Sequence, residues 1–162
     1  MQACRFAVPG DENTVLRFIK ALAAYERMEA DVSATADSLR CWLFEERAAE
    51  VLFAMDEGRE VGFALFFRNF STFLGRPGIY LEDLFVLPSH RGRGFGRALF
   101  KALAGITLER GYGRLDWSCL DWNTPARDFY RSLGALPLDE WTAYRLDENG
   151  LRTLAAGEPS GH

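Results

Sequence analysis

The chain has 162 residues, 48% of them hydrophobic, enough for one domain with a buried core. Its formal net charge of −4 argues against a general nucleic-acid binder and suits a cationic small-molecule partner. No apolar run approaches the roughly 20 residues of a membrane span, "MQACRFAVPG" lacks a signal peptide's apolar segment, and Cys4, Cys41 and Cys119 form no C-x-x-C pair, so the expectation is a cytoplasmic protein with reduced thiols and no zinc site.

The first helical signal is "GDENTVLRFIKALAAYERM". Asp11 stands at the N-cap, and Val15, Phe18, Ile19, Leu22 and Ala23 recur at helical spacing. A second helix is expected from about Thr35 to Glu46, burying Leu39, Trp42 and Leu43. "AEVLFAMDEGREVGFALFF" reads as two apolar strands around the turn "DEGRE", and "GIYLEDLFVL" as a third strand ended by Pro88. The next helix carries Phe95, Ala98, Leu99, Ala102, Leu103 and Ile106 on one face. "GRLDWSCL" is a strand. "TPARDFYRSL" is a helix with Thr124 as N-cap and Pro125 in its first turn, stopped by Gly134. "EWTAYRL" is a last strand. This order predicts a single α/β domain over residues 1–156, one mixed sheet flanked by helices, followed by a polar tail at 157–162.

The densest feature is "HRGRGFGR", where Arg91, Gly92, Arg93, Gly94, Phe95, Gly96 and Arg97 join the third strand to the helix after it. A helix N-terminus offers unpaired N–H groups and a partial positive charge. Glycines before it let an anion reach the backbone, so the junction reads as a polyphosphate site or, more plainly, as a glycine-rich cap with a solvated basic face. The spacing is neither a P-loop, which needs a lysine after its last glycine, nor a dinucleotide fingerprint, whose last position would be Arg97. It is R-x-x-G-x-G, formed by Arg91, Gly94 and Gly96.

"YLEDLFVLPSHRGRGFGRALFKAL" resembles the cofactor motif of the GNAT superfamily of acyl-CoA N-acetyltransferases, and "LDWNTPARDFYRSLGA" resembles the motif that adjoins it. With "YERM", these blocks look closest to the spermidine/spermine (diamine) acetyltransferase branch. The resemblance covers about residues 4 to 147 and is tight from Tyr80 to Ala135. It implies a GNAT-like fold with a mostly antiparallel central sheet, acetyl-CoA as cosubstrate, a small polycationic amine as acceptor, no metal, and a homodimer. It further implies that residues 91–97 hold the CoA pyrophosphate, that the main chain of Leu84, Phe85 and Val86 holds the pantetheine arm, and that Asn123, Pro125 and Ala126 lie against the cofactor. Where the diamine branch often carries a polar residue, this chain has Ala126.

Amines of this kind have pKa values near 10, so acetylation at neutral pH needs a proton acceptor. The resemblance assigns that role to Glu82 and assigns Tyr130 to the departing thiolate. Two acids inside the apolar strand "LEDLF" support the first assignment, and the plain alternative is a pair of strand-end salt bridges. Strict alternation puts Glu82 and Asp83 on opposite sheet faces, whereas the bulge the family carries here would turn both toward a cleft. For Tyr130 the alternative is a core tyrosine beside Phe129 and Leu133. Tyr25, Glu26, Glu82 and Asp83 are the candidate amine-binding residues. Glu140 joins them if a small gap is allowed, and otherwise reads as a solvated acid. His90 reads as a turn residue and His162 as part of the tail. The other functions the pattern admits are acetylation of a protein N-terminus or lysine, and a non-catalytic acyl-CoA-binding module.

Overall fold

The structure, a computed structural model, describes residues 3–157. His162 and all but the first residue of the expected tail lie outside the described residues. The chain divides into two compact units, one ending at Ser118 and one beginning at Cys119.

The first unit is a five-stranded sheet in sequence order: β1 (Ala3–Phe6), β2 (Glu50–Asp56), β3 (Arg59–Ser71), β4 (Arg76–Val86) and β5 (Leu115–Trp117). The first four strands are antiparallel to their neighbours and β5 runs parallel to β4, so the sheet is mixed and mostly antiparallel, as expected. The turn between β2 and β3 has Glu57 and Gly58 both at positive φ, the geometry whose twist matches a two-residue hairpin. One face of the sheet packs against α1 (Glu12–Glu26), where Val15 and Phe18 meet Phe53, Phe63 and Phe85. Phe18 stacks on Phe63 with ring centroids 5.3 Å apart. The helix α3 (Phe95–Glu109) also packs on the sheet and buries Phe95, Leu99, Phe100 and Leu103. Its Phe100 ring lies 4.9 Å from that of Trp117 on β5.

Strand β1 was not anticipated from the sequence. Four residues of mixed polarity carry little signal, and its place comes from pairing with β2 and from a clamp. The Arg5 guanidinium donates to both Asp11 carboxylate oxygens, at 2.7 and 3.1 Å, and to Glu60 at 2.5 Å. Asp11 does precede α1 but does not cap it with its side chain, because Arg5 and the Val8 N–H occupy that carboxylate. These partners hold the Asp11 carboxyl below its ordinary range, the Arg5 hydrogen bond foremost.

The expected second helix changes character midway. Its first turn, α2 (Ala36–Leu39), opens with a reciprocal capping box between Thr35 and Ser38 and passes into a π-helical stretch, Arg40–Glu45. The wider turn alters which residues share a face. Leu43 stays buried, Leu39 is half-buried, and Trp42, expected inside, is 58% exposed.

In the second unit, α4 (Thr124–Ser132) starts one position away from the expected cap. Asn123 is the N-cap, and its Oδ1 accepts the Ala126 N–H at 3.4 Å, with Thr124 and Pro125 inside the first turn. The expected strand "EWTAYRL" is not formed: residues 141–147 are irregular, and a final helix, α5 (Glu148–Ala155), follows. An extended segment becomes a strand only beside another strand. None pairs with this one among the described residues, and Trp141 and Tyr144 stand 80% and 93% exposed.

Candidate active site

The site begins with an irregularity in β4. Leu81 pairs with Phe66 and Asp83 pairs with Leu65, so Glu82 has no partner residue on β3 and forms a bulge. One extra residue reverses the alternation downstream of it. Asp83 thereby lands on the same sheet face as Phe85, toward α1, while Leu81 faces the other way with Phe66. The bulge foreseen for this strand is present, and Asp83 lies within range of two other acids. Asp83 is pushed up to about 6, first by loss of water around its carboxyl and then by the charges of Glu82 and of Glu26 at the end of α1. Burial also raises Glu26. Of the two strand acids, Asp83 is the more enclosed, whereas Glu82 is exposed. Sequence reading gave the proton-accepting role to Glu82 alone; the signal for Asp83 was available only once the bulge had been located.

Beyond Leu81, β4 has no partner in β5, whose pairing ends at Trp117. Among the described residues, Leu84, Phe85 and Val86 pair with β3 alone, and the other edge, where the Val86 carbonyl accepts from Arg91, has no strand beside it and suits an extended ligand. Phe85 is buried in the α1 core, so its contribution there is that of its main chain. Glycines 92 and 94 both sit at positive φ, and Gly94, at φ 89°, is the N-cap of α3. Phe95, Gly96 and Arg97 form the first turn of that helix, with Phe95 turned into the core and Arg97 exposed. No acid lies in that turn. A left-handed glycine, an unblocked helix N-terminus and an open strand edge in one short segment fit a ligand with a diphosphate and an amide-bearing arm.

The arginines are more occupied than expected. Arg93 pairs with Asp56 at 2.9 Å and lies over the Phe95 ring, 5.2 Å from its centroid. His90, in the turn Pro88–His90, approaches the same Asp56 oxygen at 3.6 Å. Asp56, at the β2–β3 turn, was not singled out in the sequence, since nothing local marks a turn aspartate as a partner of residues 34 and 37 positions away. Arg91 folds back: its Nε donates to the Val86 carbonyl at 3.0 Å, and its guanidinium carbon lies 4.7 Å from the Tyr25 ring centroid and 5.1 Å from that of Phe85.

Tyr130 and Asn123 belong to the second unit. Tyr130 is half-buried on α4 beside Phe129, ring centroids 5.7 Å apart. Asn123 is buried as the helix cap, Ala126 receives its hydrogen bond, and Pro125 is exposed in the first turn. Glu140 is exposed in the irregular stretch after α4. Among the described residues, no group of three or more His, Cys, Asp or Glu side chains is placed to hold a metal ion.

A mixed sheet whose β4 runs on past its parallel neighbour, beside a glycine-arginine turn at one helix N-terminus, fits an acyl-CoA-type transferase. The family model described as "Acetyltransferase (GNAT) family" matches residues 16–135. The chain belongs to that family and is an N-acetyltransferase. It is 37% identical over 163 residues to the thialysine N-epsilon-acetyltransferase of Bos taurus, covering 93% of this chain and 95% of that protein. It is 40% identical over 93 residues to the L-ornithine N5-acetyltransferase NATA1 of Arabidopsis thaliana, 57% of this chain and 41% of the plant protein. Among solved structures, an integron cassette protein from the mobile metagenome of V. cholerae superposes with a TM-score of 0.79 at 31% identity, covering 95% and 97% of the two chains.

Proposed function

We propose that the chain acetylates a primary amine of a small polycationic substrate (a polyamine, diamine or lysine analogue) with acetyl-CoA as cosubstrate and no metal. The observation that carries the reading is the bulge at Glu82, which turns Asp83 into an enclosed position within range of Glu82 and Glu26, where its carboxyl is raised to about 6. Substrates named for relatives, thialysine and ornithine, each carry a terminal amine plus further charge, and a cluster of acids attracts such a molecule.

Acetyl-CoA supplies an activated acetyl thioester. The chain's own residues manage protons and position. The amine must lose a proton for its nitrogen to form the new C–N bond, and the carboxylates of Glu82 and Asp83 are the acceptors on β4. Asp83, at about 6, is ionised at neutral pH yet basic enough to take a proton transiently. Tyr130 is assigned the hydrogen bond to the sulfur as the C–S bond breaks. Full transfer from a phenol of pKa about 10 to a thiol near 8.5 would run uphill by roughly 2 kcal/mol, so the bond stabilises the thiolate before any proton moves. The R-x-x-G-x-G turn and α3 N-terminus are assigned the pyrophosphate, and the open edge at Leu84–Val86 the pantetheine arm.

The same reading places the enzyme in the cytoplasm as a single domain and a homodimer. The exposed apolar run of Trp141, Tyr144 and Leu146, which fails to become a strand within one chain, supports pairing with a second copy. The deciding experiment is an acetyl-CoA turnover screen against amines graded in length and charge. Turnover rising with a second cationic group supports the proposal. Reaction with peptides alone overturns it in favour of a protein acceptor, and CoA binding without turnover of any amine leaves a binding module.

A further inference from the structure

The position of Arg91 does not match the part its motif gives it. In a turn that presents backbone N–H groups to a diphosphate, the first arginine would be expected to reach outward as a counter-charge. Here its side chain turns back across the end of β4. Its Nε–H is committed to the Val86 carbonyl at 3.0 Å, and its planar group covers two rings, Tyr25 at 4.7 Å and Phe85 at 5.1 Å. Those rings stand 6.2 Å apart, tilted by 55°, one on α1 and one on β4. A guanidinium in this seat cannot swing toward a ligand without giving up the hydrogen bond and at least one ring. A cation held against two rings while its Nε–H donates to a carbonyl uses the broad delocalised group of arginine, for which lysine is no substitute.

Tyr25 is the residue before Glu26, which closes α1 and contributes to the charge felt at Asp83. We infer that Arg91 is a positioning residue of the amine side of the site rather than a ligand of the CoA phosphates. It fixes Tyr25, and through it the last turn of α1 with Glu26, against the end of β4. The anion is then left to the N–H groups after Gly94 and to neighbouring basic residues. The inference rests on the acetyltransferase reading above and divides one motif between two substrates: its glycines serve the acyl donor, its first arginine the acceptor.

The test uses the whole protein with two substitutions, Arg91→Met and Arg91→Lys, alone and combined with Tyr25→Leu. CoA affinity is read by calorimetry, and turnover is followed with thialysine and 1,3-diaminopropane as amine probes. The expected result is a CoA Kd within about threefold of wild type in Arg91→Met, with KM for the amine raised about tenfold and kcat changed less than about threefold. Arg91→Lys should fail to restore the amine KM, and Arg91→Met should add little to the effect of Tyr25→Leu, since both remove one contact. A purely structural role would lower thermal stability without this split between the two substrates, and that outcome overturns the inference. So does a CoA Kd raised tenfold or more in Arg91→Met and recovered in Arg91→Lys, which would return Arg91 to the phosphates. A wild type that binds no CoA removes the acetyltransferase reading itself and this inference with it.

Discussion

Replacing Asp83 by Asn tests the acid cluster through stability, with no substrate needed. The carboxyl is raised from 3.8 to about 6 in the folded chain. Below the lower value it is protonated whether the chain is folded or not, and it favours neither state. Between the two values the unfolded chain has released its proton while the folded chain keeps it, so rising pH pulls the equilibrium toward unfolding. Above the upper value the loss is complete and amounts to roughly 3 kcal/mol at 1.36 kcal/mol per pH unit of displacement. Asparagine keeps the shape and carries no charge at any of these pH values. The variant should therefore match the wild type near pH 4 and exceed it by roughly 2–3 kcal/mol near pH 7.5, equivalent to about 4–12 °C in Tm for a chain of this size. Urea unfolding of both proteins at the two pH values measures the difference directly. A gap between them that does not change with pH would mean that Asp83 ionises at its ordinary value, and the account of the cluster would fail. The same substitution should cost activity at neutral pH, so a site tuned for proton transfer is maintained at the expense of stability.

Glu82→Gln removes one of the two charges that raise Asp83, and the pH-dependent part of the stability should shrink while burial keeps some of it in place; the same pair of urea titrations reads this out. Gly94→Asp puts a carboxylate and a Cβ at φ 89° before α3, and CoA affinity by calorimetry should fall at least tenfold, about 1.4 kcal/mol, in a protein that still folds. Tyr130→Phe should lower kcat roughly 100-fold with little change in KM for acetyl-CoA; near-normal kcat would make Tyr130 a packing residue. Glu26→Gln should raise KM for a diamine more than for a monoamine of similar length and weaken the salt dependence of kcat/KM, and equal losses would assign Glu26 to structure. Light scattering at micromolar protein should exceed the 18.3 kDa of one chain if the exposed segment around Trp141 pairs with a second copy.

Long periodic segments were legible from the sequence because their burial repeats: α1, α3 and the β2–β3 hairpin each have a face of residues such as Phe18, Leu99 or Phe53 that burial requires. Features that depend on partners distant in the chain were not. β1 exists through β2 and the Arg5 clamp, and "EWTAYRL" has the composition of a strand but, among the described residues, no neighbour to make it one. Trp42 is apolar at a helical position, yet a π-helical turn moves it into solvent. At the site, the glycine spacing announced the turn before α3, and both acids of "LEDLF" were visible. Which acid would be enclosed was not, because a bulge inverts the alternation from which the answer would be read. The direction of Arg91 was likewise invisible, since side-chain reach across a turn leaves no mark in spacing.

Strand β1 also bears on the solubility of the protein. It pairs with Leu52–Met55 of β2, an apolar run whose Leu52, Phe53 and Ala54 are buried, a short β-prone stretch of the kind that adds to other chains when its edge is bare. β1 occupies that edge and presents in its place four residues, of which Arg5 is charged and tied down to Asp11 before α1 and to Glu60 on β3. Deletions that reach Phe6, or substitutions that release Arg5 from Asp11 and Glu60, would uncover the apolar strand without touching any residue of the acid cluster. Their signature would be a chain that retains its activity per folded molecule while its yield falls through association of exposed sheet edges.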